Sequence, residues 1–157
     1  MSTTAQQAIA IIPMFTGTIS LIGSIAIMVM ILRSYLRLTT CYHRILFGLS
    51  FCDIFQSIGL AVSSLPVPKG TEGILYAIGN QWTCNIQGFV YLFGATSVPL
   101  YFCGLTGYFL LAIKVGMSEE NMKKYYEPIV HLVALLHGII SPIFVAAHSG
   151  FFTSGER

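Results

Sequence analysis

Four long apolar runs, separated by short polar segments, set the pattern of this chain. They cover about 8–32, 43–65, 83–113 and 128–147. Each is long enough to supply the roughly 20 residues that a helix needs to cross the hydrocarbon core of a bilayer. Membrane strands are shorter, about 9 to 11 residues, and alternate strictly. The pattern predicts an all-α fold, a polytopic membrane bundle of four transmembrane helices forming a single domain over 1–157.

Composition agrees with a membrane location. Of the 157 residues, 55% are apolar and only 9% are charged, whereas a soluble domain carries about 25% charged residues. The leading segment "MSTTAQQ" has no Lys or Arg, which favours an uncleaved first span over a signal peptide. Small residues in "FTGTISLIGS" and "FGATSVPLYFCGLTG" predict closely packed helices, because such residues let backbones approach.

Basic residues are concentrated at alternate loops. Those that flank the first and third loops are Arg33, Arg37, Arg44, Lys114, Lys123 and Lys124. Only Lys69 lies in the second loop, and Arg157 ends the chain. Because basic loops are retained in the cytoplasm, we expect a multi-pass plasma-membrane protein with its N-terminus outside. Its basic cytoplasmic face would comprise Arg37, Arg44, Lys123 and Lys124. The topology rule and attraction to lipid headgroups are an alternative explanation for basic residues at these four positions.

One acid, Asp53, lies within the second apolar run, in "LSFCDIFQSIGL". A carboxylate near the middle of a span costs about 2.5–3.5 kcal/mol on the insertion scale, so it normally faces a partner, a cavity or an ion. Ser50 and Ser57 lie at i−3 and i+4, on the same side of the helix. The sequence predicts a polar or ion-binding hub at Asp53, Ser50 and Ser57. The alternative is a hydrogen-bonded carboxylic acid that only joins helices.

Catalytic and metal-site patterns are absent from the sequence. It contains no GxSxG, HExxH or phosphate-loop motif, so we do not expect an enzyme, a resident cofactor or a nucleic-acid partner. His131 and His137 are about 240° apart around a helix and do not share a face as paired metal ligands would.

Two residues near the predicted outer end of the third span are candidates for structural roles. Trp82 can anchor this end at the headgroup level. Cys84 lies at the same end, and the four cysteines of the chain form no CxxC pattern. An outer cysteine without an evident mate is a candidate for a disulfide with a cysteine that is not in this chain.

Three motifs resemble segments of one receptor family. Residues 38–54, "LTTCYHRILFGLSFCDI", resemble the first cytoplasmic loop and second helix of seven-helix G protein-coupled receptors. Residues 82–94, "WTCNIQGFVYLFG", are similar to the outer-loop Trp and third-helix Cys of the cyclic AMP receptor, secretin and adhesion groups. Residues 107–138, "GYFLLAIKVGMSEENMKKYYEPIVHLVALLHG", resemble the second cytoplasmic loop and fourth helix of cyclic AMP receptor-like members.

The resemblance covers about 10–150 and implies the first four helices of a seven-helix receptor, as an N-terminal fragment or a truncated form. It implies that Asp53 corresponds to the intramembrane Asp that binds sodium in rhodopsin-like members. Cys84 would bond the second outer loop, an extracellular ligand would be sensed, and a heterotrimeric G protein would respond. The chain departs from the rhodopsin-like pattern in having no Asp-Arg-Tyr after the third helix and in having Gly23-Ser24 where Gly-Asn is usual.

Two other functions fit the sequence. The first is a four-helix interaction protein that does not signal but assembles with receptors as a hetero-oligomer in membrane lipid. The second is a small transporter, for which only Asp53 and Pro99 argue. The internal repeats and paired broken helices of many transporters are not evident.

Overall fold

The computed structural model describes residues 3–71 and 74–148, and it is helical except for the connections. Four long helices are α1 (Thr3–Arg33), α2 (Cys41–Val62), α3 (Gln81–Leu110) and α4 (Glu119–His148). Apart from an isolated bridge between Pro68 and Gly79, the described residues include no strand pairing. All four helices are long and apolar enough to cross a membrane. The predicted all-α bundle with four spanning helices is confirmed.

The start of the fourth helix differs from the sequence expectation. The apolar run predicts a beginning near 128, but helix α4 begins at Glu119, with the Ser118 hydroxyl accepting a hydrogen bond from the Asn121 backbone N–H. It passes through one π-helical stretch, Met122–Tyr126, before the regular part Glu127–His148. A serine followed by two acids is a favourable helix start, so much of the expected third loop is helical.

The connection between the third and fourth helices is correspondingly short. Helix α3 continues through a π-helical turn, Leu111–Val115, and Gly116 then takes φ 69°. A left-handed backbone of this kind favours glycine. The turn brings the beginning of α4 back against the end of α3.

Neighbouring helices pack in chain order, with α2 and α3 in the middle of the bundle. Gly17 lies against Leu60 and Ala61 where α1 crosses α2, and Gly94 lies against Cys52 and Gln56 where α2 crosses α3. A Cβ atom on Gly94 would lie 2.5 Å from the Gln56 backbone nitrogen. These contacts confirm the predicted close approach of helices at small residues.

The buried core lies mainly where α2, α3 and α4 meet, near the first and third connections. Its members include Cys41, Ile45, Tyr101, Met122, Val130 and Ala134. Large apolar side chains such as Phe15, Ile22 and Ile140 instead point outward. A surface this apolar is suited to lipid rather than to water. These features are those of a multi-pass helical membrane protein.

Candidate functional site

The side chain of Asp53 joins the first two helices. Ser20 and Ser24, one turn apart on α1, both donate hydrogen bonds to Asp53 Oδ2; the Ser20 Oγ to Oδ2 distance is 3.0 Å. Ser57, one turn along α2 from Asp53, donates to the same oxygen at 3.3 Å. We call Asp53, Ser20, Ser24 and Ser57 the α1–α2 hub. Three hydroxyls thus converge on one carboxylate oxygen within the membrane.

The electrostatics of the α1–α2 hub are unusual because its acid has no basic partner in the part of the chain that the structure describes. Neither of the two ion pairs found among the described residues involves Asp53. Hydroxyl donors can compensate part of the cost of removing a carboxylate from water. Hydroxyl and carboxylate oxygens are also the ligands that hard cations prefer, so these four side chains are the ones that could hold such an ion.

The structure retains part of the predicted hub and adds to it. Ser57 bonds Asp53 as the spacing predicts. Ser50 does not join it, because its buried Oγ has no hydrogen-bond partner in the described part of the chain. Ser20 and Ser24 are not among the predicted partners of Asp53, although their i, i+4 spacing on an apolar helix is a usable signal. The sequence alone does not determine the register at which α1 crosses α2.

A second polar site joins α2 to α4 at the end of the bundle that carries most basic residues. Arg44 Nε lies 2.5 Å from Glu127 Oε1, and Arg44 Nη2 lies 2.5 Å from Glu127 Oε2. Arg44 Nη1 also donates to the Leu38 carbonyl oxygen at 2.9 Å. Glu127 is only 9% exposed. Two parallel hydrogen bonds to one carboxylate fix both distance and orientation, as a single contact would not.

The Glu127 carboxylate is also linked to the third helix, through His131 and Tyr101. His131 Nε2 lies 3.8 Å from Glu127 Oε1, and His131 Nδ1 is hydrogen-bonded to the Tyr101 hydroxyl at 2.8 Å. Tyr101 is fully buried, and its ring occupies the space above Gly48 that a larger residue would fill. We call Arg44, Glu127, His131 and Tyr101 the basic-end network. It connects α2, α4 and α3 in one chain of contacts.

Glu119 ties the beginnings of two helices together beside this network. Its Oε1 accepts a hydrogen bond from the Cys41 backbone N–H at 2.5 Å, and its Oε2 accepts one from the Tyr108 hydroxyl at 3.2 Å. A carboxylate is favourable there because the first N–H groups of a helix lack partners within the helix. Because α4 begins at Glu119, this residue can join the beginning of α4 to α2 and α3.

The predicted basic face is divided by these contacts. Arg37, Lys123 and Lys124 are exposed, as expected for surface cations. Arg44 is instead partly buried and pairs with Glu127. The sequence predicts Arg44 as a surface cation and predicts no role for Glu127. The useful signal was an Arg and a Glu close to the same end of two apolar runs, where each side chain needs a partner.

Trp82 and Cys84 lie at the opposite end of the bundle. Trp82 is 78% exposed, whereas Cys84 is buried and forms no disulfide in the described structure. Nearby, Gln87 Nε2 donates to the carbonyl oxygens of Gly59 and Ser63 at 2.8 and 2.6 Å. Gln87 thereby satisfies acceptors at the end of α2, and this end of the α2–α3 contact is held by polar groups as well.

Comparisons of the chain with protein-family models, curated proteins and solved structures found no match. The class that the fold defines is a multi-pass α-helical membrane protein with two interhelical polar sites.

Proposed function

We propose that this protein is a G protein-coupled receptor-like signalling protein that senses an extracellular ligand. The observation that carries the proposal is the α1–α2 hub, where Asp53 binds Ser20, Ser24 and Ser57 and has no basic partner among the described residues. An acid maintained at such cost within a span is most readily explained by a role in function. The order of the three receptor-like motifs along 10–150 supports the same class.

The two polar sites offer a physical route for signalling. The α1–α2 hub and the basic-end network both include residues of α2, namely Asp53 and Arg44. A movement of α2 relative to its neighbours would alter hydrogen bonds in both sites together. A ligand that binds one arrangement better shifts the population toward it. The proposal assigns Asp53 the role of hub, with sodium as the ion it would bind.

In this proposal the protein lies in the plasma membrane, and its basic end faces the cytoplasm. Exposed Arg37, Lys123 and Lys124 would contact lipid headgroups and a heterotrimeric G protein. The N-terminus, Trp82 and Cys84 would then face outward, with Cys84 available to a disulfide partner after local opening. The positive-inside bias of the loops is the support for this orientation.

Nucleotide exchange on G proteins tests the proposal. The protein is reconstituted in lipid nanodiscs with purified heterotrimers of each Gα class, and GDP–GTP exchange is measured without added ligand. We expect faster exchange than with empty nanodiscs for at least one class. We expect Asp53→Asn to change that rate. Ser50→Ala, which removes no hydrogen bond seen among the described residues, should leave it unchanged. Exchange no faster than with empty nanodiscs for every class would contradict the proposal.

A further inference from the structure

A polar pair lies on the outward side of α4, at the centre of its apolar stretch. His137 is exposed, and its Nδ1 lies 3.3 Å from the Ser141 hydroxyl. It is midway between Pro128 and His148, so each end of the apolar stretch is about 15 Å away at 1.5 Å per residue. An imidazole is too short to reach the headgroups over this distance. Polar groups at such depth normally face a partner or a cavity.

The hydrogen bonding of His137 is incomplete within the ranges 3–71 and 74–148 that the structure describes. Among the described residues, Ser141 is its single hydrogen-bond partner. When the Ser141 hydroxyl donates to Nδ1, the proton of the neutral ring is on Nε2, which then requires an acceptor. Ser141 Oγ retains a lone pair that can accept. The pair therefore presents one donor and one acceptor to whatever lies against α4.

Apolar residues around His137 have the spacing of a helix-pairing seam. Val133, His137, Ile140 and Phe144 follow one another at intervals of four, three and four, and all are exposed. This interval is the heptad pattern by which two helices pack side by side. Val130, one step earlier in the pattern, is buried in the core of this chain, so the free part of the seam begins at Val133.

We propose that a second copy of this protein, in the same orientation, packs its α4 against this seam about a two-fold axis along the membrane normal. In such a pair equivalent residues lie at equal depth. His137 Nε2–H can therefore donate to Ser141 of the second copy, and the reverse bond forms by symmetry. A foreign helix would need an acceptor placed at that depth, which a second copy supplies. A polar residue at one seam position also fixes the register.

Disulfide crosslinking in membranes tests the geometry. Since Cys103 is exposed and the other three cysteines are buried, the background variant is Cys103→Ser. Ile140→Cys lies on the seam; Leu132→Cys, equally exposed at 59%, lies about 140° from His137 around the helix. We expect oxidation to give a linked dimer with Ile140→Cys and at most a trace with Leu132→Cys. Equal linking at the two positions, or none at Ile140→Cys, would overturn the proposal.

Association in lipid vesicles tests the polar contact separately. Energy transfer between labelled copies, diluted in lipid, gives the dimer dissociation constant. We expect His137→Leu to raise this constant about 3- to 30-fold, the effect of losing interhelical hydrogen bonds in a membrane, and Leu132→Ala to leave it unchanged. Both positions are exposed, and circular dichroism would verify that helix content is retained. A monomeric wild type, or an unchanged constant in His137→Leu, would show the assignment to be wrong. This inference is independent of G protein coupling.

Discussion

At the scale of single residues, the role of a charged side chain depends on which helix lies opposite. Arg44 and Lys123 look alike in the sequence as basic residues beside predicted loops. In the fold, Lys123 is exposed, while Arg44 makes two hydrogen bonds to Glu127 and one to the Leu38 carbonyl. The side chains of Arg44 and Glu127 are 28% and 12% exposed, so removing either one leaves the other partly desolvated and without its ionic partner.

Breaking the Arg44–Glu127 pair should destabilise the bundle. Surface pairs contribute up to about 1 kcal/mol, and loss of one member of a buried pair costs about 3–5 kcal/mol. For this partly buried pair we expect Arg44→Ala and Glu127→Ala each to lower the free energy of unfolding by about 2–4 kcal/mol. The double variant should cost less than the two single costs added together, as unfolding in lipid micelles or bicelles would measure. Lys123→Ala serves as control, with a change within about 0.5 kcal/mol. Strictly additive losses would rule out the coupling.

Sodium should stabilise the wild type through Asp53 if the hub binds that ion. A ligand present at ten times its dissociation constant adds about 1.4 kcal/mol, which for a chain of this size is about 3–6 °C in Tm. We expect a higher Tm in sodium chloride than in choline chloride at equal ionic strength. Asp53→Asn should abolish this difference, and Ser50→Ala should retain it. An equal Tm in both salts for the wild type would show that the hub does not bind sodium.

At the scale of helices, the crossings are set by glycines that leave no room for a side chain. Gly94 shows this between α2 and α3, because a Cβ atom there would lie 2.6 Å from the Cys52 carbonyl oxygen. Backbone atoms cannot move aside as a flexible side chain can. Gly23 on α1, by contrast, has open space around it. The two positions form a matched pair within the same fold.

Enlarging Gly94 should therefore separate two helices, and enlarging Gly23 should not. Overpacking of this kind costs about 1–3 kcal/mol, so we expect Gly94→Ala to lower the free energy of unfolding by that amount. Gly23→Ala should leave it unchanged or raise it by up to about 1 kcal/mol, because alanine is the better helix former. Thermal unfolding of the two variants in the same detergent makes the comparison. Equal stability of both would mean that the α2–α3 crossing is not tight.

At the scale of the whole molecule, the number and order of the spans could be predicted because long apolar runs have few other solutions in lipid. The contacts between spans could not. The pairing of Asp53 with Ser20 and Ser24 depends on the register of α1 against α2. The pairing of Arg44 with Glu127 depends on α4 beginning at Glu119 and returning to α2. Hydropathy alone does not determine such three-dimensional relations.

The two polar sites occupy different levels of the bundle and share α2. The α1–α2 hub lies at Asp53, inside the second span, and the basic-end network includes Arg44 near the start of the same helix. A movement of α2 as a body would therefore change contacts at both levels. The proposed function rests on that movement being read at the basic end.

Photo-crosslinking to a Gα subunit in cell membranes is the most direct test of the receptor assignment. A photoreactive amino acid is placed at Lys124, on the exposed basic face, and in a matched variant at Lys69, in the connection at the opposite end. We expect a crosslinked product with an identified Gα subunit from Lys124 and none from Lys69. No Gα product from Lys124, or equal yield from both ends, would contradict it.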